Sequence, residues 1–245
     1  MIVTGTYLQL DVGNSSVKWR LVRRGQISHR GSYQRGDESE QELLLHCTDT
    51  LDHIWIASVA APATEAELAA LLQEQWGVPP WFARTQDRTG SLHNSYEEPG
   101  RMGVDRWLAM LGARERERGK LCVIDAGSAL TIDIVSAAGQ HEGGYIIPGA
   151  AFMERALLLD TDRVRFAEEV GYDLAPGTST AAAVRHGIIL AQAGAVSLAI
   201  EKAGSEPMAL FYCGGAGETI IKLVDRGGQW LPDLVFEGLA AMAAT

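Results

Sequence analysis

The feature that most constrains the fold of this chain is a short pattern that occurs twice, 114 residues apart. Leu8–Gln26 reads LQLDVGNSSVKWRLVRRGQ, and Leu121–Gln140 reads LCVIDAGSALTIDIVSAAGQ. Asp-x-Gly alone is common at turns, because Asp accepts backbone hydrogen bonds and Gly adopts positive φ. Coincidence is nevertheless the weaker explanation, because one offset relates several positions. The pairs that share it are Asp11 with Asp125, Gly13 with Gly127, Gly25 with Gly139 and Gln26 with Gln140.

Both copies predict strands joined by tight turns, since apolar residues alternate with polar ones between glycines. A third strand is predicted near Gln26–Gln34 and, in the second copy, near Gln140–Ile147. We therefore predict an α/β protein of two duplicated lobes, residues 1–118 and 119–245. Each lobe would be a mixed sheet that starts with a β-meander and is flanked by helices. The other predicted elements are helices at Glu38–Asp49, Thr64–Gln75, Val104–Arg118, Ser179–Lys202 and Ala216–Asp225, and strands at His53–Val59 and Met208–Cys213.

The charge balance argues against nucleic acid as a partner. The 245 residues include 21 Lys and Arg against 31 Asp and Glu, a formal net charge of −10. A chain of this charge is repelled by a phosphate backbone unless its cations are clustered. The longest uncharged apolar segment, Gly187–Ile200, is shorter than a membrane span requires. We expect contact with neither nucleic acid nor membrane.

Cysteine usage and the N-terminal sequence predict a cytoplasmic protein. The three cysteines are widely spaced and form no CxxC pair, which is typical of a reducing compartment and argues against a zinc site. Met1–Asp11 has neither a cationic start nor a cleavage signal. We therefore expect no secretory peptide.

The two repeated turns are candidate phosphate sites. No GxxxxGK[ST] or GxGxxG motif is present, so a nucleotide would need another kind of loop. Glycine lets a backbone approach a phosphate, and the hydroxyls of Ser15, Ser16 and Ser128 would add donors beside the N–H groups. A carboxylate at the edge of the loop, Asp11 or Asp125, could hold a cation that neutralises the phosphates.

A third stretch, Asn94–Trp107, reads NSYEEPGRMGVDRW and leads into a predicted helix. It contains two glycines, a proline and the adjacent pair Asp105 and Arg106. From the residues alone, Asp105 near the start of that helix could simply be a capping or first-turn acid. This combination of glycine, proline and charged residues is not what a segment needs if it only packs against a core.

Five motifs in order, DVGNSSVKW, YEEPGRMGVDRW, DAGSALT, GGYIIPG and CGGAG, resemble those of the type III pantothenate kinases. Some members of that family were first described as Bvg accessory factors, and the family belongs to the acetate and sugar kinase, Hsc70 and actin superfamily. The resemblance covers nearly the whole chain and is most specific at Gly103–Arg106. It implies actin-like (ribonuclease H-like) lobes. It also implies ATP-dependent phosphorylation of pantothenate to 4'-phosphopantothenate, the first step of coenzyme A synthesis.

The resemblance implies roles for individual residues. Asp105 would be the general base that takes the proton of the pantothenate primary hydroxyl. Asp125 would bind a monovalent cation, K⁺ or NH₄⁺, and Asp11 a divalent ion, Mg²⁺ or another, through ATP. The implied pantothenate-binding residues are Tyr96, Gly103, Val104, Asp105, Arg106 and Thr180. The implied ATP-binding residues are Asp11, Val12, Gly13, Asn14, Ser15, Ser16, Val17, Lys18, Ser128, Gly214 and Gly215.

The resemblance also bears on partners and on departures from the family pattern. It implies a homodimer with the pantothenate site near the subunit interface, so that Thr180 comes from the partner. Ser15 and Ser128 stand where the family usually has threonine and keep the hydroxyl. Met102 replaces the usual leucine, which is a conservative apolar exchange. We expect these three departures to leave catalysis intact.

Two other functions are compatible with such a chain. A non-catalytic accessory protein of the same fold, acting in transcription through a partner, would keep the nucleotide loops but would not need Asp105 or Arg106. A related sugar or acid kinase would keep Asp11 and Asp125 but would lack the Tyr96–Arg106 loop. The presence of that loop favours the pantothenate kinase.

Overall fold

The computed structural model describes residues 5–160 and 164–244. The strands are β1 (Thr6–Val12), β2 (Ser16–Arg23), β3 (Gln26–Gln34), β4 (His53–Ser58), β5 (Trp81–Phe82), β6 (Arg88–Thr89), β7 (Leu92–His93), β8 (Lys120–Ala126), β9 (Ala129–Val135), β10 (His141–Pro148), β11 (Met208–Cys213) and β12 (Gln229–Trp230). The helices are α1 (Glu38–Leu45), α2 (Pro62–Trp76), α3 (Val104–Arg116), α4 (Ala150–Asp160), α5 (Thr180–Lys202), α6 (Gly217–Val224) and α7 (Leu234–Ala243). A 3-10 turn at Pro99–Arg101 precedes α3.

Two five-stranded sheets have the same topology. Their strand orders are β3-β2-β1-β4-β5 and β10-β9-β8-β11-β12. In each sheet the first three strands in sequence form an antiparallel meander, and the first strand also pairs in parallel with the strand after the meander. The prediction of two duplicated α/β lobes that begin with a β-meander is therefore confirmed.

Each sheet buries one apolar face under its own helices, because alternate side chains of a strand point to the same side. In the first sheet Leu8, Leu10 and Val12 of β1 are buried with Leu68 and Leu72 of α2. In the second sheet the matching strand, β8, contributes Cys122, Ile124 and Ala126 to a core shared with α5 and α6. The repeated sequence pattern therefore reflects a repeated core.

The chain divides into two compact units, Met1–Arg116 with Asp233–Thr245, and Glu117–Pro232. Sequence alone places residues 119–245 together in the second lobe, whereas α7 belongs to the first unit. There α7 packs against α3 at two glycines. A Cβ atom at Gly238 would overlap the Leu108 carbonyl, and one at Gly112 would overlap the Leu234 carbonyl. Such contacts between distant segments leave no local sequence signal.

Helix α5 is long enough and apolar enough to cross a membrane, judged by its length and composition only. Its residues Ile189, Ala193, Val196 and Ala199 lie in the core of the second sheet. This is the position of the core helix of a lobe. The helix was predicted at Ser179–Lys202, and Ser179 is its N-cap, whose side chain accepts a hydrogen bond from the Ala182 N–H.

A buried polar network attaches the start of α7 to the first sheet. Gln9, fully buried on β1, donates to the Phe236 carbonyl at 3.0 Å and accepts from Nε of Arg20 at 2.7 Å. Arg20 also pairs with Asp233 at 3.3 Å, and its guanidinium lies 4.9 Å from the centre of the Phe236 ring. Burial lowers the pKa of Arg20, and the charge of Asp233 partly offsets that effect. The network stabilises the last helix only while every buried donor keeps its acceptor.

We expect Gln9→Leu to reduce the free energy of unfolding by about 2–4 kcal/mol, because Arg20 Nε and the Phe236 carbonyl both lose a buried partner. Urea denaturation followed by circular dichroism measures this loss. The control is Arg30→Ala, which removes the exposed ion pair to the same Asp233 at 3.0 Å and should cost about 1 kcal/mol or less. Equal losses in the two variants would contradict the importance of the buried network.

Candidate functional site

The first repeated turn is the tip of the β1–β2 hairpin. The Gly13 N–H donates to the Ser16 carbonyl at 2.9 Å, and Asp11 lies directly opposite Lys18 in the strand register. Asn14 and Ser15 are exposed at the tip. The sequence-predicted ATP residues Asp11 to Lys18 are therefore one hairpin, of which Val12 and Val17 bury their side chains in the core and can offer a ligand only their backbone.

Val59 brings this hairpin close to the start of α3. Its N–H donates to the Val12 carbonyl at 3.1 Å. Its Cγ1 lies 4.0 Å from the position that a Cβ atom on Gly103 would occupy. The loop tip and the GVDR segment thus share one neighbour inside the first unit. The motif pattern did not reveal Val59 as the residue that links these two segments.

The loop before α3 is held by polar contacts along its length. Asn94, which is buried, accepts from the Tyr96 N–H at 2.9 Å and donates to the Gln86 carbonyl at 3.2 Å. The Thr85 hydroxyl donates to the Met102 carbonyl at 2.9 Å. These bonds fix both ends of a segment that would otherwise have few backbone partners.

The structure brings Tyr96 and Arg106 together. Arg106 is only 6% exposed, and its Nη1 donates to the Tyr96 hydroxyl at 3.0 Å. The guanidinium carbon lies 5.9 Å from the centre of the Tyr96 ring. An arginine side chain is positively charged and presents its N–H donors in a fixed plane. Such a group suits recognition of a carboxylate.

Asp105 lies in the first turn of α3 and is half-exposed. Its Oδ1 accepts from the Arg106 N–H at 2.8 Å, which is the geometry of a first-turn acid. Gly103 is its close neighbour, since a Cβ atom there would come within 2.5 Å of Asp105 Oδ1. The carboxylate is therefore held in place by its own helix and is still accessible to a small molecule.

The second repeated turn, between β8 and β9, has its own set of neighbours. The Gly127 N–H donates to the Ala129 carbonyl at 2.9 Å, and Ser128 is exposed at the tip. Gly214 follows β11 with φ +78°, and a Cβ atom there would overlap the Asp125 carboxylate and the Ala126 backbone. The structure thus places Gly214 directly against Asp125.

A cavity of about 260 Å³ adjoins this turn. Gly127, Gly215 and Thr219 line it together with apolar side chains such as Leu130 and Ile189. Apolar walls with a few polar groups are typical of a site for a small organic molecule. The sequence pointed to Gly215, whereas Thr219 and the cavity itself depend on how α5 and α6 pack.

Thr180 is exposed at the first position of α5, in the second unit. The other sequence-predicted pantothenate residues all belong to the first unit. The contacts described for the first unit link Tyr96, Gly103, Asp105 and Arg106 to one another, directly or in sequence.

The adjacent glycines Gly214 and Gly215 offer a matched test of this geometry. Gly214→Ala should lower the free energy of unfolding by about 2–4 kcal/mol, because it adds backbone strain and an overlap with Asp125. Gly215 has no atom within 4 Å of its would-be Cβ, so Gly215→Ala should change stability by about 0.5 kcal/mol or less. Urea denaturation compares the two, and similar values would contradict the close contact between Gly214 and Asp125.

Comparisons with known proteins extend over both lobes. A family model described as type III pantothenate kinase matches residues 7–202. A relative from Ectopseudomonas mendocina, named type III pantothenate kinase, is 35% identical over 241 residues, which cover 95% of this chain and 97% of the relative.

Two crystal structures share the fold. A protein from Campylobacter jejuni, described as a conserved Baf family transcriptional activator, has a TM-score of 0.62 at 21% identity, covering 97% of each chain. A protein from Sinorhizobium meliloti, described as a 2-dehydro-3-deoxygalactonokinase, has a TM-score of 0.64 at 15% identity, covering 97% of this chain and 95% of the other. At these identities the likeness concerns the fold alone.

The match to the family is not confined to one motif. It includes both repeated turns and the Tyr96–Arg106 loop, and the aligned relative spans nearly its whole length. The chain therefore belongs to the type III pantothenate kinase family and is a kinase of the actin-like ATPase fold.

Proposed function

We propose that this chain transfers the γ-phosphoryl group of ATP to the primary hydroxyl of pantothenate, giving 4'-phosphopantothenate and ADP in the first step of coenzyme A synthesis. The observation that carries the proposal is the arrangement at the start of α3, where a half-exposed carboxylate, Asp105, adjoins a buried guanidinium, Arg106. A carboxylate beside an anion-binding cation suits a substrate that carries both a hydroxyl and a carboxylate. Pantothenate is such a substrate.

Arg106 is the group proposed to bind the pantothenate carboxylate. The chain carries a formal charge of −10, so an anionic substrate needs a local cation. Tyr96 supports the role because its hydroxyl accepts from Arg106 at 3.0 Å and orients the guanidinium. The backbone of Gly103 and Val104 completes the proposed site. Thr180 is assigned to pantothenate as a residue contributed by the partner subunit.

Asp105 is the proposed general base. It accepts the proton of the pantothenate hydroxyl while the hydroxyl oxygen bonds to the γ-phosphorus. The bond from that phosphorus to the β,γ-bridging oxygen breaks, and ADP leaves with the electron pair. Phosphoryl transfer depends mainly on positioning and charge neutralisation. The hydrogen bond from the Arg106 N–H at 2.8 Å holds the carboxylate in place.

ATP is assigned to residues in each unit. In the first unit these are Asp11 to Lys18, whose exposed tip offers backbone N–H groups and hydroxyls. In the second unit these are Ser128, Gly214 and Gly215, with the cavity of about 260 Å³ proposed for the adenosine. Mg²⁺ or another divalent ion bound with ATP would neutralise phosphate charge. Asp11 supplies the kind of oxygen ligand that this ion prefers.

Asp125 is the proposed ligand of the monovalent cation. Its partner in the strand register is Thr131, so a carboxylate residue and a hydroxyl residue occupy opposite positions on adjacent strands. Oxygen donors of this kind suit K⁺ and are compatible with the hydrogen-bonding needs of NH₄⁺. The second lobe therefore has the chemistry for such a cation.

The first experiment is an ADP-release assay with and without pantothenate on the wild type and on Asp105→Asn. We expect turnover to require pantothenate and to fall by about 10²–10⁴ in the variant, because the amide cannot accept the proton. Replacing potassium by sodium in a parallel series should lower turnover. The matched control is Glu98→Gln, which removes an exposed carboxylate from the same loop and should leave the rate unchanged.

The possible outcomes separate the enzyme from its mechanism. Full activity in Asp105→Asn would keep the kinase and remove the proposed base. Equal rates in potassium and sodium would remove the monovalent cation. A wild type that releases no ADP in response to pantothenate in any salt would overturn the proposed activity and favour a non-catalytic accessory protein.

A homodimer is the proposed assembly. The surface of the second unit exposes many large apolar side chains around β10, α4 and α5. Single exposed apolar residues need no explanation, whereas a cluster of them is typical of an interaction surface. Pro148, Phe152, Leu157 and Gly187 line an apolar groove of about 780 Å³ between α4 and α5. The exposed apolar residues in this region are Tyr145, Ile146, Phe152, Leu157, Leu159, Leu190 and Leu198.

Sedimentation velocity tests the homodimer. We expect the wild type to sediment as a dimer and Leu190→Asp to sediment as a monomer, because the new charge would be buried against a second copy. The control is Leu43→Asp on α1, where the side chain is 68% exposed and no interface is proposed. A dimer that survives Leu190→Asp and dissociates with Leu43→Asp would place the interface on the other unit.

A further inference from the structure

The tips of the two hairpins are held in the same way, by the residue that follows the third strand of each meander. The Arg35 N–H, just after β3, donates to the Ser15 carbonyl at 3.0 Å. The Gly149 N–H, just after β10, donates to the Ser128 carbonyl at 3.0 Å. Arg35 and Gly149 are 114 residues apart, the offset that relates Asp11 to Asp125. We call each of these hydrogen bonds a tip contact.

In the first unit the side chain of Arg35 strengthens the tip contact. Its Nη1 donates to the Asn14 carbonyl at 3.3 Å, and its Nη2 donates to the Thr64 hydroxyl at 3.1 Å. Thr64 lies in the first turn of α2. Arg35 therefore holds two successive carbonyls of the loop and ties them to a helix.

The orientation of those carbonyls decides where the loop can bind a ligand. In a planar trans peptide the C=O and N–H groups point in opposite directions. Because the carbonyls of Asn14 and Ser15 point to Arg35, the N–H groups of Ser15 and Ser16 point away from it. Backbone N–H groups with a common orientation are the donors that loops of this kind offer to phosphates.

In the second unit the tip contact uses the backbone alone. A Cβ atom at Gly149 would overlap the carbonyls of Ser128 and Gly127. Gly149 is not among the residues with positive φ, so the close approach and not the backbone conformation requires glycine here. The first tip contact is thus supplemented by an arginine side chain, whereas the second requires the absence of a side chain.

We propose that Arg35 and Gly149 are positioning residues, which orient the donors of the two phosphate loops toward the nucleotide without touching it. The proposal rests on the proposed function, because it assumes that these loops bind the phosphates of ATP. Arg35 is exposed and borders an open cavity of about 600 Å³ next to the loop. Removing its side chain should therefore leave the fold intact.

The test compares Arg35→Ala and Arg35→Lys with Arg23→Ala. Arg23 lies at the opposite end of β2, is exposed and also donates to a threonine hydroxyl, that of Thr48, at 3.0 Å. Steady-state ADP release gives KM for ATP and for pantothenate separately. Calorimetry with the non-hydrolysable ATP analogue AMPPNP gives nucleotide affinity without turnover, and thermal denaturation checks the fold.

We expect kcat/KM for ATP to fall about tenfold in Arg35→Ala, the loss that two ordinary hydrogen bonds would produce. KM for pantothenate should stay within about twofold, and AMPPNP affinity should fall with kcat/KM for ATP. Arg35→Lys should recover only part of the loss, because one ammonium cannot bridge both acceptors as the guanidinium does. Arg23→Ala should match the wild type.

Three results would overturn the proposal. Unchanged kcat/KM for ATP and unchanged AMPPNP affinity in Arg35→Ala would remove the positioning role. Full recovery in Arg35→Lys would show that the charge matters and not the bridge. Equal rises in KM for ATP and in KM for pantothenate would indicate a general structural effect. If the wild type has no pantothenate-dependent turnover, the proposed function fails. The AMPPNP affinities of the wild type and of Arg35→Ala then still show whether Arg35 supports nucleotide binding.

The second tip contact is tested by Gly149→Ala against Gly171→Ala. Gly171 has no atom within 4 Å of its would-be Cβ and is not at positive φ. We expect Gly149→Ala to reduce AMPPNP affinity by about tenfold or more, because the methyl group displaces both loop carbonyls. The same affinity in both variants would overturn the role of Gly149.

Discussion

The first unit depends on a direct contact between the backbones of α3 and α7. Gly112 and Gly238 allow this contact because a Cβ atom on either would overlap a carbonyl of the facing helix. Helix α3 also adjoins β4, so it is held on more than one side. Asp105 and Arg106 lie at the start of this helix. The last helix of the chain thus fixes the element that carries the proposed base, even though α7 contributes no proposed site residue.

An acidic chain needs a local cation to bind an anion. Two buried arginines of the first unit, Arg20 and Arg106, differ in the elements that they contact. Arg20 is largely buried, donates to Gln9 and pairs with Asp233. These contacts attach α7 to the first sheet. Arg106 is also buried, and its guanidinium donates to the Tyr96 hydroxyl at 3.0 Å in the loop before α3. Arg20 is engaged with α7, whereas Arg106 directly follows the proposed base on α3. This placement supports Arg106, and not Arg20, as the substrate cation.

The repeated pattern was enough to predict the meanders, because each strand carries its own alternation. The strand Gln26–Gln34 was predicted with the bounds that the structure has. Helices α4 and α7 were not predicted. The segment of α7, Leu234–Ala243, is apolar around most of its circumference and contains Gly238, so it shows no helical periodicity. The hairpin tips could be found from Asp-x-Gly, whereas Arg35 could not, because its partners come from two other segments.

The two lobes share one scaffold, and the residues that lie opposite the repeated aspartates differ between them. Lys18 lies opposite Asp11 in the first lobe, while Thr131 lies opposite Asp125 in the second. An ammonium next to Asp11 competes with a bound monovalent cation, and it suits a loop whose ligand is a highly charged phosphate. A hydroxyl next to Asp125 instead adds an oxygen without adding charge. The cross-strand partners of the two aspartates therefore favour the second lobe for the proposed monovalent cation.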